Sequence, residues 1–261
     1  MNFKDILVHV DDRPTCASRL EVATHLARHQ GAQLTGIYII TQPRQSSAKA
    51  EKAFRKAASD AGLSCEWICF DSIGSRLDVV NAINLHAHYH DLLVLSQTDE
   101  DDPDRSIPAT LPEKAVLGSG RPVLIVPYAG SFPRDFKRIL LTWRGGSESS
   151  RALHDAMPIL RKAEQINVIS VQGREGDELY QLHSKDIAKH LALYQLAPVC
   201  EKRVTGRELS VGDLLLNRCA EAGVDLLVMG ATSQLRRGTQ TLGETGRYML
   251  HSMTVPVLMS H

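Results

Sequence analysis

The residues best suited to chemistry follow an apolar run in the second half of the chain: Gly230-Ala231-Thr232-Ser233, nine further residues, then Gly243-Glu244-Thr245-Gly246. A glycine turn that delivers the chain to a helix amino terminus offers unpaired N–H groups to an anion, so a phosphate-binding loop is physically reasonable here. Arg236 and Arg237 lie inside that stretch and would add positive charge. Glu244 works the other way. A carboxylate about 4 Å from a phosphate costs roughly 1 kcal/mol in water-like surroundings and about 4 kcal/mol at an intermediate dielectric. The same Glu244 favours the first turn of the helix it would begin, whatever binds nearby.

Other clusters carry less. Asp99-Glu100-Asp101-Asp102-Pro103-Asp104 places five carboxylates where the first half would need bare N–H groups or cations, so triphosphate should be repelled there. Hard oxygens suit Ca²⁺ or Mg²⁺, but the run lacks a coordination loop and reads as a solvated loop. His86, His88 and His90 do not share a helix face, because residues i and i+2 point apart. Cys65 and Cys69 lack a second ligand pair at zinc spacing and read as partly buried thiols. No serine stands on a Gly-x-Ser-x-Gly elbow, which argues against a Ser-His-Asp hydrolase.

The elements that must position these residues occur twice. Phe3-Lys4-Asp5-Ile6-Leu7-Val8-His9-Val10-Asp11 returns as Phe136-Lys137-Arg138-Ile139-Leu140-Leu141-Thr142-Trp143-Arg144. Asp91 to Ser96 returns as Asp225 to Gly230, and Arg121 to Ile125 as Val255 to Met259. That period is too long for a solenoid and suits two whole domains, 1–131 and 132–261. Short apolar runs such as Ile6 to Val10 and Leu92 to Leu95 are the pattern of strands covered on both faces. Between them Leu20, Ala23, Leu26 and Ala27 recur at helical spacing before the Gly31 stop. In the second half Leu153, Ala156, Met157 and Leu160 repeat that helix, and Pro158 should kink it or end its first turns. The alternation implies an α/β fold, a doubly wound parallel sheet in each half with helices on both faces. Ligands in such sheets bind beyond the carboxyl ends of the strands, where strand order reverses.

The fourth-strand run, the glycine loop and the closing Val255-Pro256-Val257-Leu258 together resemble the universal stress protein family, whose nucleotide loop reads Gly-x2-Gly-x9-Gly-Ser/Thr. The similarity extends to Gly145-Gly146-Ser147 and Gly31-Ala32-Gln33-Leu34, and covers the chain as two tandem copies. It implies two Rossmann-like domains of the adenine-nucleotide alpha-hydrolase type, each a five-stranded parallel sheet. It also implies a non-catalytic stress-response protein, usually dimeric and cytoplasmic. An adenine nucleotide such as ATP would then lie in the second domain against Arg144, Val171, Met229, Gly230, Ser233, Gly243, Glu244, Thr245 and Gly246.

Three departures from the family pattern bear on that expectation. Ser233 replaces the second glycine, Glu244 replaces the hydroxyl residue, and Arg144 stands where an aspartate usually meets the nucleoside; Asp11 keeps that aspartate in the first half. Two outcomes follow. Either Arg144, Arg236 or Arg237 neutralises phosphate in an altered pose, or Arg144 pairs with Glu244 and closes the crevice, leaving an interaction or scaffold protein. A weaker likeness joins Arg144-Gly145-Gly146-Ser147-Glu148-Ser149 to the Ser-Gly-Gly-x-Asp-Ser loop of ATP pyrophosphatases, the enzymatic alternative.

Composition narrows the partners. With 43% hydrophobic residues and no apolar run near the ~20 residues of a membrane span, a globular protein is expected, with no membrane partner. Lysine plus arginine equals aspartate plus glutamate at 30 each, so no basic field draws nucleic acid. The chain runs directly into a strand at Phe3, which makes cytoplasm the default compartment, and the five cysteines read as reduced. The halves should form an internal pseudo-dimer through Val123 to Val126 and Val257 to Met259, with a homodimer and a small-molecule ligand as further expected partners.

Overall fold

The computed structural model describes residues 2–99, 101, 106–133, 135–172, 183–205, 209–236 and 238–261. In the first half the order is β1 (Asp5–His9), α1 (Cys16–Gln30), β2 (Gln33–Ile40), α2 (Ala48–Asp60), β3 (Cys65–Asp71), α3 (Ser72–Ser75), α4 (Val79–Ala87), β4 (Leu92–Ser96), α5 (Leu111–Gly118) and β5 (Val123–Val126). The second half runs β6 (Arg138–Thr142), α6 (Ser147–Leu160), β7 (Gln165–Gln172), α7 (His183–Ala192), β8 (Val199–Val204), α8 (Val211–Glu221) and β9 (Leu226–Gly230). It closes with β10 (Ser233–Arg236), β11 (Thr239–Leu242), α9 (Glu244–Ser252) and β12 (Val257–Ser260).

The apolar runs become the inner strands because helices cover both of their faces. Ile6, Leu7, Val8, Leu92, Leu93, Val94, Leu226, Leu227 and Val228 are fully buried. Alternate residues feed two cores: Ile6, Val8, Leu92 and Val94 pack with α1, α2, α6 and α7, whereas Leu7, Leu93 and Leu95 pack with α4, α5, α8 and α9. Each half supplies five parallel strands, and the two sets do not form separate sheets. They make one ten-stranded sheet in the order β3-β2-β1-β4-β5-β12-β9-β6-β7-β8. The join is the antiparallel pairing of β5 with β12, in register Val257↔Ile125, Leu258↔Leu124 and Met259↔Val123. Both strands are wholly buried there, which removes two apolar edges at once.

The duplication is legible bond by bond. Asp91 Oδ2 accepts the N–H groups of Lys4 and Asp5, and Asp225 Oδ2 accepts those of Lys137 and Arg138. Val10 N donates to the Ile37 carbonyl and Trp143 N to that of Ile169, both at 2.8 Å. These bonds set the equivalences used below: Asp11 with Arg144, Tyr38 with Ser170, and Ser96 with Gly230. On the first helix of each half the buried positions Cys16, Arg19, Leu20, Ala23 and Ala27 match Ser149, Ala152, Leu153, Ala156 and Leu160.

Three local expectations change. Pro158 neither kinks α6 early nor ends it: it lies in the last turn and the helix continues to Leu160. The carbonyl of Pro158 instead receives the buried Gln30 Nε2 of α1 at 3.1 Å, a bond between the halves. Between Ser233 and Gly243, where a plain loop was expected, Ser233–Arg236 and Thr239–Leu242 pair as an antiparallel hairpin, β10 with β11, and Gly238 beside the turn has φ +80°. Cys69 is exposed rather than partly buried, because it sits on the edge strand β3; all five cysteines are free.

Candidate functional site

Two crevices lie where strand order reverses, one in each half, and side-chain volume has treated them oppositely. In the first half Arg19 of α1, only 2% exposed, lies 3.1 Å from Asp11 Oδ1, and its Nη1 donates to Ser96 Oγ at 2.7 Å. His9 Nδ1 stands 3.7 Å from Asp11 Oδ2. Burial pushes the Asp11 carboxyl up, but the Arg19 guanidinium and His9 outweigh it and hold the group below the usual carboxylate range. Burial drives the His9 imidazole down to about 3 against the pull of Asp11, so it is neutral. Alongside, the Tyr38 hydroxyl donates to Asp12 at 2.5 Å, and the ring stands in an aromatic group with Trp67 and Phe54. Gly36 has no room for a Cβ there: Phe54 and Trp67 atoms would lie 2.9 Å from it. Between β1 and β4 what remains of the crevice is a cavity of about 30 Å³ lined by His9, Asp11, Arg19 and Ser96 among others, while on the α1–α2 side Val10, Asp11, Asp12 and Cys16 line an open groove of about 590 Å³.

At the equivalent positions of the second half the fillers are gone. Arg19 becomes Ala152, Tyr38 becomes Ser170 and Ser96 becomes Gly230. The result is a cavity of about 440 Å³ at the carboxyl edge of the sheet. Its walls are Ile169, Val171, Val211, Leu215 and Met229, and its polar side carries Thr142, Arg144, Ser149, Ser170, Lys202, Thr232 and Thr245. Gly145 and Gly146, with φ +80° and +86°, turn the chain from β6 into α6 in a conformation that side-chain-bearing residues rarely adopt. Gly230 is required by a close approach: a Cβ there would lie 2.5 Å from the Glu148 carbonyl carbon and 2.7 Å from Ser149 N.

The cavity is electrically biased. The N-caps of α6 and α9 are glycines, Gly146 and Gly243, and neither helix has a side-chain cap. By contrast α8 is closed by a Ser210–Asp213 capping box and α4 by Asp78. Two uncapped helix amino termini border one cavity that also holds Arg144 and Lys202, an arrangement that favours an anion. Glu148, which also lines the cavity, opposes it.

Of the nine residues expected around a nucleotide, Arg144, Val171, Met229, Gly230 and Thr245 come together on this cavity, and four do not line it. Ser233 opens β10, and its Oγ accepts from Gln240 Nε2 at 2.9 Å. Gly243 spends its N–H on the Thr232 carbonyl at 2.8 Å, Glu244 begins α9, and Gly246 is buried in α9 against Leu242. The crevice that Arg144 and Glu244 were expected to close is open. The closing ion pair exists in the other half, between Asp11 and Arg19. Arg237 and most of the acidic run, Glu100 and 102–104, lie outside the described residues. Sequence reasoning missed Ser170 and Lys202 altogether; the signal for the first was its contrast with Tyr38 in the duplicate.

The remaining candidates have structural explanations. His90 Nδ1 bonds the His86 carbonyl at 2.8 Å, and His86 stacks edge-on against Phe70. Among the described residues no group of three His, Cys, Asp or Glu side chains is placed to hold a metal ion. A groove of about 590 Å³ between α1 and α2 is larger but open, with an alanine floor at Ala53, Ala57 and Ala61 and a rim of mixed charge.

An open crevice with an anion-favouring mouth at the switch point of a parallel sheet, beside a filled copy of itself, defines a tandem doubly wound α/β protein. The universal stress protein family model matches residues 135–261, and the second half of the chain belongs to that family. Similar solved structures span both halves. A universal stress protein from Archaeoglobus fulgidus DSM 4304 is 16% identical, with 98% of this chain and 97% of that one covered at a TM-score of 0.73. A putative universal stress protein from Pseudomonas aeruginosa UCBPP-PA14 is 17% identical, covering 99% and 93% at 0.69. At these identities the likeness establishes the shared fold. Among curated proteins none matches the sequence. No helix among the described residues is long and apolar enough to cross a membrane.

Proposed function

We propose that this is a non-catalytic stress-response protein of the universal stress protein type, and that its second half binds an adenine nucleotide carrying few phosphates. The observation that carries the reading is the contrast between equivalent crevices, about 440 Å³ in the second half and about 30 Å³ in the first. The larger volume lies within the range of small-molecule sites. Its aliphatic wall suits a flat base, and Arg144, Lys202 and the uncapped α6 terminus suit an anion. A triphosphate is disfavoured because two donors expected from the glycine loop, the N–H groups of Leu242 and Gly243, are already taken. Binding is favoured over turnover because the described lining offers Glu148 as its one carboxylate and no histidine or cysteine. The scaffold alternative needed a closed crevice, and the open one weighs against it.

Equilibrium titration with labelled AMP and ATP tests this directly. Saturable micromolar binding of AMP, tighter than ATP, is expected. The double substitution Arg144→Asp with Ala152→Arg transplants the first half's ion pair and should abolish that binding in a folded protein. Absence of AMP binding by the unmodified chain would sink the proposal.

A further inference from the structure

The helix whose amino terminus borders the open crevice is fastened at both ends by the other half of the chain. At its entry, Glu113 Oε1 on α5 accepts the Leu242 N–H at 2.8 Å, one residue before the N-cap Gly243. Leu242 is fully buried, so that N–H needs an acceptor inside the protein. At its exit, Gln97 Nε2, just beyond β4, donates to the His251 carbonyl at 2.8 Å. Carbonyls in a last helical turn have no partner within their own helix, and this one is satisfied from across the join. Gln97 is itself 5% exposed and fixed, its Oε1 accepting the Tyr128 N–H at 3.3 Å. The equivalent helix α5 is met at its far end from within its own half, where His88 Nε2 lies 3.4 Å from the Gly118 carbonyl.

We infer that the first half, its own crevice filled, acts as the frame that positions α9, with Glu113 and Gln97 as positioning residues for the crevice of the second half. Thr245, in the first turn of α9, forms part of that cavity wall, so any movement of α9 changes the site. The consequence for the ligand rests on the binding reading above; the consequence for α9 does not.

The test uses the full chain with Glu113→Ala, Gln97→Ala, their combination, and Glu113→Gln, which keeps an oxygen able to accept the Leu242 N–H. Amide hydrogen exchange is followed across residues 242–246, and AMP affinity is measured in parallel. Loss of a hydrogen bond to a charged acceptor should speed exchange there about tenfold in Glu113→Ala. AMP affinity should fall by a similar factor, and Glu113→Gln should restore both while amides in β1 and β4 stay unchanged. Unchanged exchange at residues 242–246 in the folded double variant would overturn the inference. If the unmodified protein binds no AMP, the exchange measurement still decides the role of Glu113, and only the ligand reading fails.

Discussion

Replacing Arg19 with alanine removes one member of a buried ion pair and leaves the other behind. Arg19 is 2% exposed and Asp11 11%, so little water can reach the orphaned carboxylate. Breaking such a pair from one side costs about 3–5 kcal/mol, and the slight exposure of Asp11 argues for about 3. The pH dependence carries the diagnosis. With Arg19 present, the Asp11 pKa is depressed, so its contribution to stability is full above the unfolded value of 3.8 and fades as pH falls through the folded value. Without Arg19, burial remains and the attraction is gone, so the folded pKa should rise above 3.8 and acid should relieve the variant. The gap between the two proteins should therefore be about 3 kcal/mol at pH 7 and markedly smaller at pH 4, measured by urea unfolding. The double change Asp11→Leu with Arg19→Met should sit near the unmodified stability, since no charge is left unpaired. A gap below about 1 kcal/mol at pH 7, or one that does not narrow in acid, would refute the claim that this pair seals the crevice.

Two further tests address the same contrast. Gly230→Ala forces a Cβ to within 2.5 Å of α6 backbone, which cannot swing aside as a side chain would, so about 3 kcal/mol should be lost in thermal or urea unfolding; an unchanged Tm would contradict the close approach. His9→Gln removes a group held neutral down to about pH 3. Its unfolded form takes a proton near 6.5, so the unmodified protein loses about 1.4 kcal/mol per pH unit as pH falls through that window, about 2 kcal/mol between pH 7 and 5. The stability difference between the two chains should shift by that amount, and parallel pH profiles would show that His9 is not buried neutral.

How far the sequence could be read depended on what each feature rests on. Strands buried on both faces have little choice but an apolar run, so the three repeated blocks exposed the duplicated fold at once. The β10–β11 hairpin stayed hidden because its strands, with Leu235 77% exposed, carry no alternation between an apolar and a polar face. The nucleotide loop was expected from glycines and charges, and charge misled in part. Arg144 and Glu244 were opposed on sign alone, yet what decides whether a crevice is open is volume at Arg19/Ala152, Tyr38/Ser170 and Ser96/Gly230. Arg19 looks like a surface residue between Ser18 and Leu20 until the helix is laid over its copy, where a buried alanine occupies the same place. A duplicated chain thus contains its own comparison: wherever two registered positions differ by a large side chain against a small one, one half has sealed a space the other keeps. The half whose crevice is filled still bears on the other, because Glu113 and Gln97 bond the helix at the mouth of its sister's crevice.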